Sequence, residues 1–214
     1  MTLDRRALLT LAAAAIAAPA AALAGDKAIP ARKLFPYLDV YLDLAPAERT
    51  RFVMAYYLRK DGRPATGVGL TLMSAGRRTP LPVGPDGRIQ HLPTLAELKD
   101  GEVALTKANP ADKLQLSLEI QARVALGETV PAGDLVAAID QCNAAIRRKA
   151  GVIGLVAPKM EQVVFPNGAG SVVLPGGRTV AMPTLSEGAA FKPASHPGAQ
   201  AVRFSKIPSR ALLD

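Results

Sequence analysis

The sequence predicts a mainly β chain, with α+β as the alternative: two related β-sandwich-like units bridged by one amphipathic helix, after a cleaved signal peptide. Three observations predict it. Apolar residues alternate with period two along much of the chain, one stretch alone sustains a 3.6-residue period, and an eleven-residue motif occurs twice at an offset of 90 residues. The expected boundaries are 1–24 for the signal, 25–130 for the first β unit with an N-terminal helical segment, 131–151 for the bridging helix and 152–214 for a second, shorter β unit.

The first element is an address. Met1-Thr2-Leu3-Asp4-Arg5-Arg6 precedes an apolar run from Ala7 to Leu23 broken only by Thr10 and Pro19, which is the charged region and apolar region of an export signal. Ala22-Leu23-Ala24 puts small residues at the −3 and −1 positions, so cleavage is expected after Ala24. Arg5-Arg6-Ala7-Leu8-Leu9 resembles the twin-arginine export motif, with Asp4 and Thr10 departing from its commoner flanking residues. The run is mostly alanine, carries Pro19 and lacks a basic stop-transfer cluster, which argues against a retained membrane span. The expected location is periplasmic or secreted, with no transmembrane span in the mature form.

Next, Leu38, Tyr41, Leu42 and Leu44 fall at helical spacing over Tyr37–Leu44 before Ala45-Pro46 breaks the pattern, and Pro46 suits the start of a short turn through Glu48 and Arg49. If that segment is helical, Asp39 and Asp43 share a face beside Tyr37 and Tyr41. Such a face suits a cation or a sugar, and a solvated helix edge is the simpler account. From Phe52 the pattern changes: Phe52, Met54, Tyr56 and Leu58 alternate with their neighbours, Asp61-Gly62 turns the chain, and Val68, Leu70 and Leu72 alternate again. That reads as a β-hairpin with a loop opened by Arg63-Pro64. Leu114, Leu116, Leu118 and Ile120 form the cleanest strand pattern.

The one sustained helix follows. Leu135, Ile139, Cys142 and Ile146 make an apolar stripe, Asp134 can cap it, Arg147, Arg148 and Lys149 suit the dipole of the last turn, and Gly151 suits a stop. Short strands are expected at 152–157, 162–165, 171–174, 178–182 and 201–205, separated by Gly, Pro and Asn turns.

The repeat aligns Pro85-Asp86-Gly87-Arg88-Ile89-Gln90-His91-Leu92-Pro93-Thr94-Leu95 with Pro175-Gly176-Gly177-Arg178-Thr179-Val180-Ala181-Met182-Pro183-Thr184-Leu185, without gaps and with six identities. Its physical content is a turn. Proline presets φ, Asp-Gly or Gly-Gly supplies positive φ, and the strand that follows ends at a proline that cannot donate to a ladder. Arg88 and Arg178, placed alike, are a candidate anion-binding pair; tying down a loop carbonyl or covering a sheet edge is the structural alternative. Gly62-Arg63-Pro64-Ala65-Thr66-Gly67-Val68-Gly69-Leu70 followed by Val83-Gly84-Pro85-Asp86-Gly87-Arg88 resembles the rhythm of transthyretin-like, carboxypeptidase-regulatory β-sandwich modules. The resemblance covers about a quarter of the mature chain and implies a fold only.

Composition narrows the function classes. The 214 residues carry 26 basic and 18 acidic side chains, a net charge of +8, spread in short groups rather than in an arm, and few aromatics are available to stack on bases. Nucleic acid is therefore not the expected partner, while an anionic one is. A single cysteine closes no internal disulfide, and Cys142 on the helix stripe reads as buried. His91 and His196 are far apart in sequence, no metal-ligand spacing is present, and neither a G-x-S-x-G elbow nor a phosphate loop occurs. No cofactor and no metal are expected. The reading is an exported, non-catalytic envelope protein, an interaction or ligand-binding module whose partner is an envelope protein or an anionic envelope polymer. Tyr56 and Tyr57 are its candidate groove aromatics, with Arg88 and Arg178 for charge. The alternative is a periplasmic enzyme of hydrolase or isomerase type using dispersed Asp, Glu, Tyr or His.

Overall fold

The computed structural model describes residues 28–106, 113–150 and 159–214; the expected signal peptide, the strand expected at 152–157 and the expected stop at Gly151 lie outside these described residues. The fold is mainly β, with several antiparallel sheets and one main helix. The chain divides into two compact units, one taking the residues through Asp43 and Met54–Glu119, the other Leu44–Val53 and Ile120–Asp214.

In the first unit, β1 (Ile29–Pro30) leads into two short helices, α1 (Ala31–Leu34) and α2 (Leu38–Leu42). Between them Tyr37 sits in the left-handed region at φ 63°, a conformation that costs a side-chain-bearing residue about 1–2 kcal/mol. The expected Asp39–Asp43 spacing is realised at the ends of α2, but the tyrosines part company: Tyr41 is buried while Tyr37 is 59% exposed. β2 (Phe52–Lys60) then turns through Asp61-Gly62 into β3 (Arg63–Pro64), with Arg59 opposite Pro64 and Lys60 opposite Arg63.

Here the expected hairpin is shorter than its sequence suggests. The run containing Leu70 and Leu72 is β4 (Gly69–Ser74), and it belongs to a different sheet, where it pairs with β5 (Arg77–Leu81) on one side and β6 (Glu102–Thr106) on the other. The physical reason lies at Ala75-Gly76, whose φ values of 50° and 74° make a tight turn after β4, so β4 closes on the strand that follows it. Leu70, Leu72, Leu81 and Val103 are buried on its inner side. Between β5 and β6 runs α3 (Leu95–Asp100), packed on α1 and α2 and anchored by Leu98. β7 (Leu114–Ala122), whose residues from Ile120 on belong to the second unit, lies beside β2, which lies beside β3.

The second unit holds β8 (Thr129–Pro131) and the long helix α4 (Ala132–Ala150). Leu135, Ile139 and Cys142 are buried, as the stripe predicts, and Ile146 is half-buried. The helix begins two residues before Asp134, so that residue serves in the first turn rather than as the cap, where its charge suits the dipole and pairs with Arg51 at 3.2 Å. Gln141 fastens the segment before β2 to α4: its Oε1 accepts the Arg51 N–H at 2.7 Å, and its Nε2 donates to the Ala47 carbonyl at 3.0 Å. Arg148 pairs with Glu48.

The remaining strands are β9 (Val163–Pro166), β10 (Ala169–Val173), β11 (Thr179–Ala181), β12 (Thr184–Leu185), β13 (Gly188–Phe191), β14 (Ala201–Lys206) and β15 (Leu212–Leu213). One sheet has the order β11-β10-β14-β8. In the other, β12, β13, β9 and β15 are neighbours in that order, and β15 reaches the end of β7 through Leu212 opposite Gln121. The two-residue β15 therefore has a partner on each side, with Leu213 buried opposite Val163. Asp214 continues the hold, its carbonyl accepting the N–H groups of Glu161 and Gln162 at 2.6 and 2.8 Å.

Candidate functional site

Of the four residues singled out by the sequence, two are structural in their surroundings. Tyr56 is fully buried; its hydroxyl donates to the Pro36 carbonyl at 2.5 Å and its ring meets Phe35 edge-on at 5.2 Å between centroids. Burial, with the Asp39 charge nearby, pushes its phenol above the ordinary tyrosine range. Tyr57 is buried as well, with the Arg59 guanidinium 5.1 Å from its ring centroid. Both rings fill the core of the first unit.

The two arginines share a backbone setting but not an environment. In both copies of the repeat the turn closes with the same pair of hydrogen bonds. Gly84 N–H donates to the Arg88 carbonyl at 2.7 Å and Gly87 N–H to the Gly84 carbonyl at 2.9 Å; Leu174 N–H donates to Arg178 at 2.7 Å and Gly177 N–H to Leu174 at 3.1 Å. Val83 opposes Ile89 as Val173 opposes Thr179. The first turn is stitched to β2, where Arg88 bridges Tyr57, so Arg88 is half-buried; Arg178 stands exposed at the tip of the β10–β11 connection. They lie in different units.

Other chemistry-bearing side chains are held in structural roles. Burial pushes the Cys142 thiol up to about 12, which keeps it protonated and unreactive at neutral pH. Asn143 copies a strand pairing with its amide, donating to the Met160 carbonyl and accepting the Met160 N–H, both at 2.9 Å. His196 stacks on Phe191 with ring centroids 6.2 Å apart, and His91 sits exposed in a bend rather than on the expected strand. Among the described residues no three His, Cys, Asp or Glu side chains gather as a metal site.

What the sequence did not single out is the outward side of the β11-β10-β14-β8 sheet. Register defines it. Ala181, Ser171, Arg203 and Thr129 stand opposite one another in a single row across the four strands, and Val172 and Val202 are buried on the reverse side. Directly opposed residues of antiparallel strands point to the same face, so Arg203 is the one long side chain in a row of short ones. The flanking row is Thr179, Val173, Ala201 and Pro131.

A bulge completes this face. Arg203 pairs with Ser171 and Phe204 with Gly170, but Lys206 pairs with Ala169, so Ser205 is an extra residue on β14. A bulge residue shifts the alternation of the strand that carries it. Phe204 stays inward and buried, while Lys206 comes out opposite Ala169, on the side of Ser171 and Arg203. Ser205 holds the bulge by donating its hydroxyl to the Ala169 carbonyl at 3.1 Å. Gly170 makes room for it, since a Cβ there would lie 2.2 Å from the Arg203 carbonyl oxygen. Both cations are exposed, and among the described residues neither takes part in an ion pair. The signal for this was present in the sequence as Val202 and Phe204 alternating with Arg203 and Ser205, but the register that collects the row is not readable from one strand.

Among the described residues no helix is long and apolar enough to cross a membrane. Compared with known proteins, the chain matches no family model, no curated protein and no solved structure.

Proposed function

We propose that this chain is an exported envelope protein that holds a ligand rather than converting one, a binding module built from two related β-sandwich-like units behind a cleaved, twin-arginine-like signal. The observation that carries the binding reading is the outward face of the β11-β10-β14-β8 sheet, where short side chains leave a flat surface and a bulge brings Lys206 beside Arg203. Hydroxyls and cations at strand spacing, about 4.8 Å, are a set for holding a polar ligand, and holding one asks nothing of a nucleophile or a base.

The export half of the reading rests on the first 24 residues, whose charged start, apolar run and Ala22-Leu23-Ala24 end match a cleavable signal. The test joins both halves. The tagged full-length chain is expressed in a bacterium, fractionated, cross-linked in the cell and purified from the envelope fraction, and its N-terminus is sequenced. The expected outcome is a chain beginning at Gly25 that carries envelope material with it. A chain still beginning at Met1 in the cytosol would end the export reading, and a processed chain that captures nothing would end the binding one.

A further inference from the structure

The charge on the outward sheet face says more than that it binds. Arg203 and Lys206 sit opposite Ser171 and Ala169, two positions apart along β10, so their backbones are about 7 Å apart on one face. Like charges so placed repel. The alternation of β14 without its bulge would send Lys206 to the other side of the strand, so the arrangement that brings the cations together is the one that needs Gly170 and the Ser205 hydrogen bond. Glu128, whose carbonyl accepts the Phe204 N–H at 2.8 Å, is the acid closest along the neighbouring strand, and it pairs with neither cation.

From this, and resting on the binding reading above, we infer that the Arg203–Lys206 pair is the anchor for an anionic polysaccharide lying across the four strands. The planar fork of Arg203 grips an oxyanion through two parallel N–H bonds, and Lys206 supplies a second, mobile charge for the next one. The rest of the row suits sugars: Ser171, Thr129 and Thr179 offer hydroxyls, and Ala181 and Ala201 keep the surface low so that a chain can lie flat. A lipid surface would ask for apolar or aromatic residues projecting around the cations. On the face itself the apolar side chains are the short Val173 and Pro131 and the alanines, none of them aromatic, and the exposed Ile207 follows Lys206.

The test is binding of the full chain to polygalacturonate, with neutral dextran and vesicles containing phosphatidylglycerol as companions, followed by calorimetry or co-sedimentation. Arg203→Ala with Lys206→Ala is compared with Arg77→Ala with Arg78→Ala, which removes the same charge from the exposed edge strand β5. Thermal melts confirm that both variants fold. The expected result is salt-sensitive binding of polygalacturonate but not of dextran, weakened about tenfold or more by the first double change and altered less than about twofold by the second. Equal losses in the two variants would overturn the inference, because the attraction would then be general charge. So would vesicle binding without polygalacturonate binding, or equal binding of dextran. A chain that ignores polygalacturonate yet still captures envelope material in the cell would overturn the ligand class alone and leave the binding reading standing.

Discussion

The two copies of the repeated motif begin alike and end differently. Up to Arg88 and Arg178 they make the same closed turn with the same two hydrogen bonds, although Asp86 keeps negative φ where Gly176 takes 77°. Beyond the prolines they diverge. Thr94-Leu95 opens helix α3, whereas Thr184-Leu185 is strand β12, paired with β13 through Ala189 and Gly188. The cause lies just past the aligned eleven residues. Both copies continue to a glutamate, Glu97 and Glu187, but Leu98 in the first corresponds to Gly188 in the second. Leu98 is a buried anchor for a helix turn, while Gly188, at φ 150° and just after the Ser186-Glu187 turn, lets β13 lie against the Phe165 carbonyl oxygen, where a Cβ would come within 2.1 Å. That position separates the helix from the hairpin by giving one segment an apolar side chain to bury, alongside the Thr94–Glu97 cap that the first copy makes.

The largest expected effects test how tightly each copy is held. At Gly87 an added Cβ would lie 2.6 Å from the Leu58 carbonyl oxygen and would sit at φ 87°, while at Gly177 the same atom would meet open space and only the φ of 79° opposes it. Gly87→Ala should therefore cost about 3 kcal/mol or more, and Gly177→Ala about 1 kcal/mol. Denaturant melts of the two variants check this. Equal losses would mean that the first turn is not sewn to β2 by the Leu58 N–H donating to the Gly87 carbonyl and the Ile89 N–H donating to the Tyr56 carbonyl.

The middle effect concerns the residue that makes the copies diverge. Leu98→Ala removes the anchor of α3 and should cost about 2–5 kcal/mol, in the range of buried leucine truncations. Leu185→Ala, at the exposed position of β12 that aligns with Leu95, should stay within about 0.5 kcal/mol. If Leu98→Ala were equally mild, α3 would be held by its cap alone and the contrast between Leu98 and Gly188 would lose its force.

Local pattern was legible wherever a segment's own neighbours settle its structure. The stripe of α4, the alternation of β2, the strand of β14 and the repeated turn all follow from residues within one turn or one strand of each other. What the sequence concealed depends on pairing between distant segments. Nothing in Gly69–Ser74 alone says that it leaves β2 for a sheet with β5 and β6, and a two-residue strand such as β15 has too few positions to show any period. Tyr56 and Tyr57 look like groove aromatics in a list of residues because burial is decided by the far side of the sheet. The candidate face was hidden for the same reason: Arg203, Ser171 and Thr129 become neighbours only through register, and the bulge that turns Lys206 toward them is visible only against Gly170.

The smallest effect separates the two threonines. Thr94 caps α3: its Oγ1 accepts the Glu97 N–H at 3.3 Å, and the Glu97 carboxylate accepts both the Thr94 N–H and its hydroxyl at 2.8 Å. The backbone N–H of Thr94, then its hydroxyl, hold the Glu97 carboxyl below the ordinary glutamate range. A carboxyl lowered in the folded state adds stability that is present above its unfolded pKa of about 4.3 and fades as pH falls through the lower folded value. Thr94→Ala should thus cost about 1 kcal/mol near neutral pH, and the gap from the parent chain should narrow as the pH drops below about 4. Thr184→Ala, on an exposed strand, should cost less than about 0.5 kcal/mol and show no narrowing. Melts of both variants along a pH series read the difference directly. A pH-independent gap for Thr94→Ala would mean that the hydroxyl caps α3 without help from Glu97, and the copies would then differ by the anchor at Leu98 and not by the cap as well.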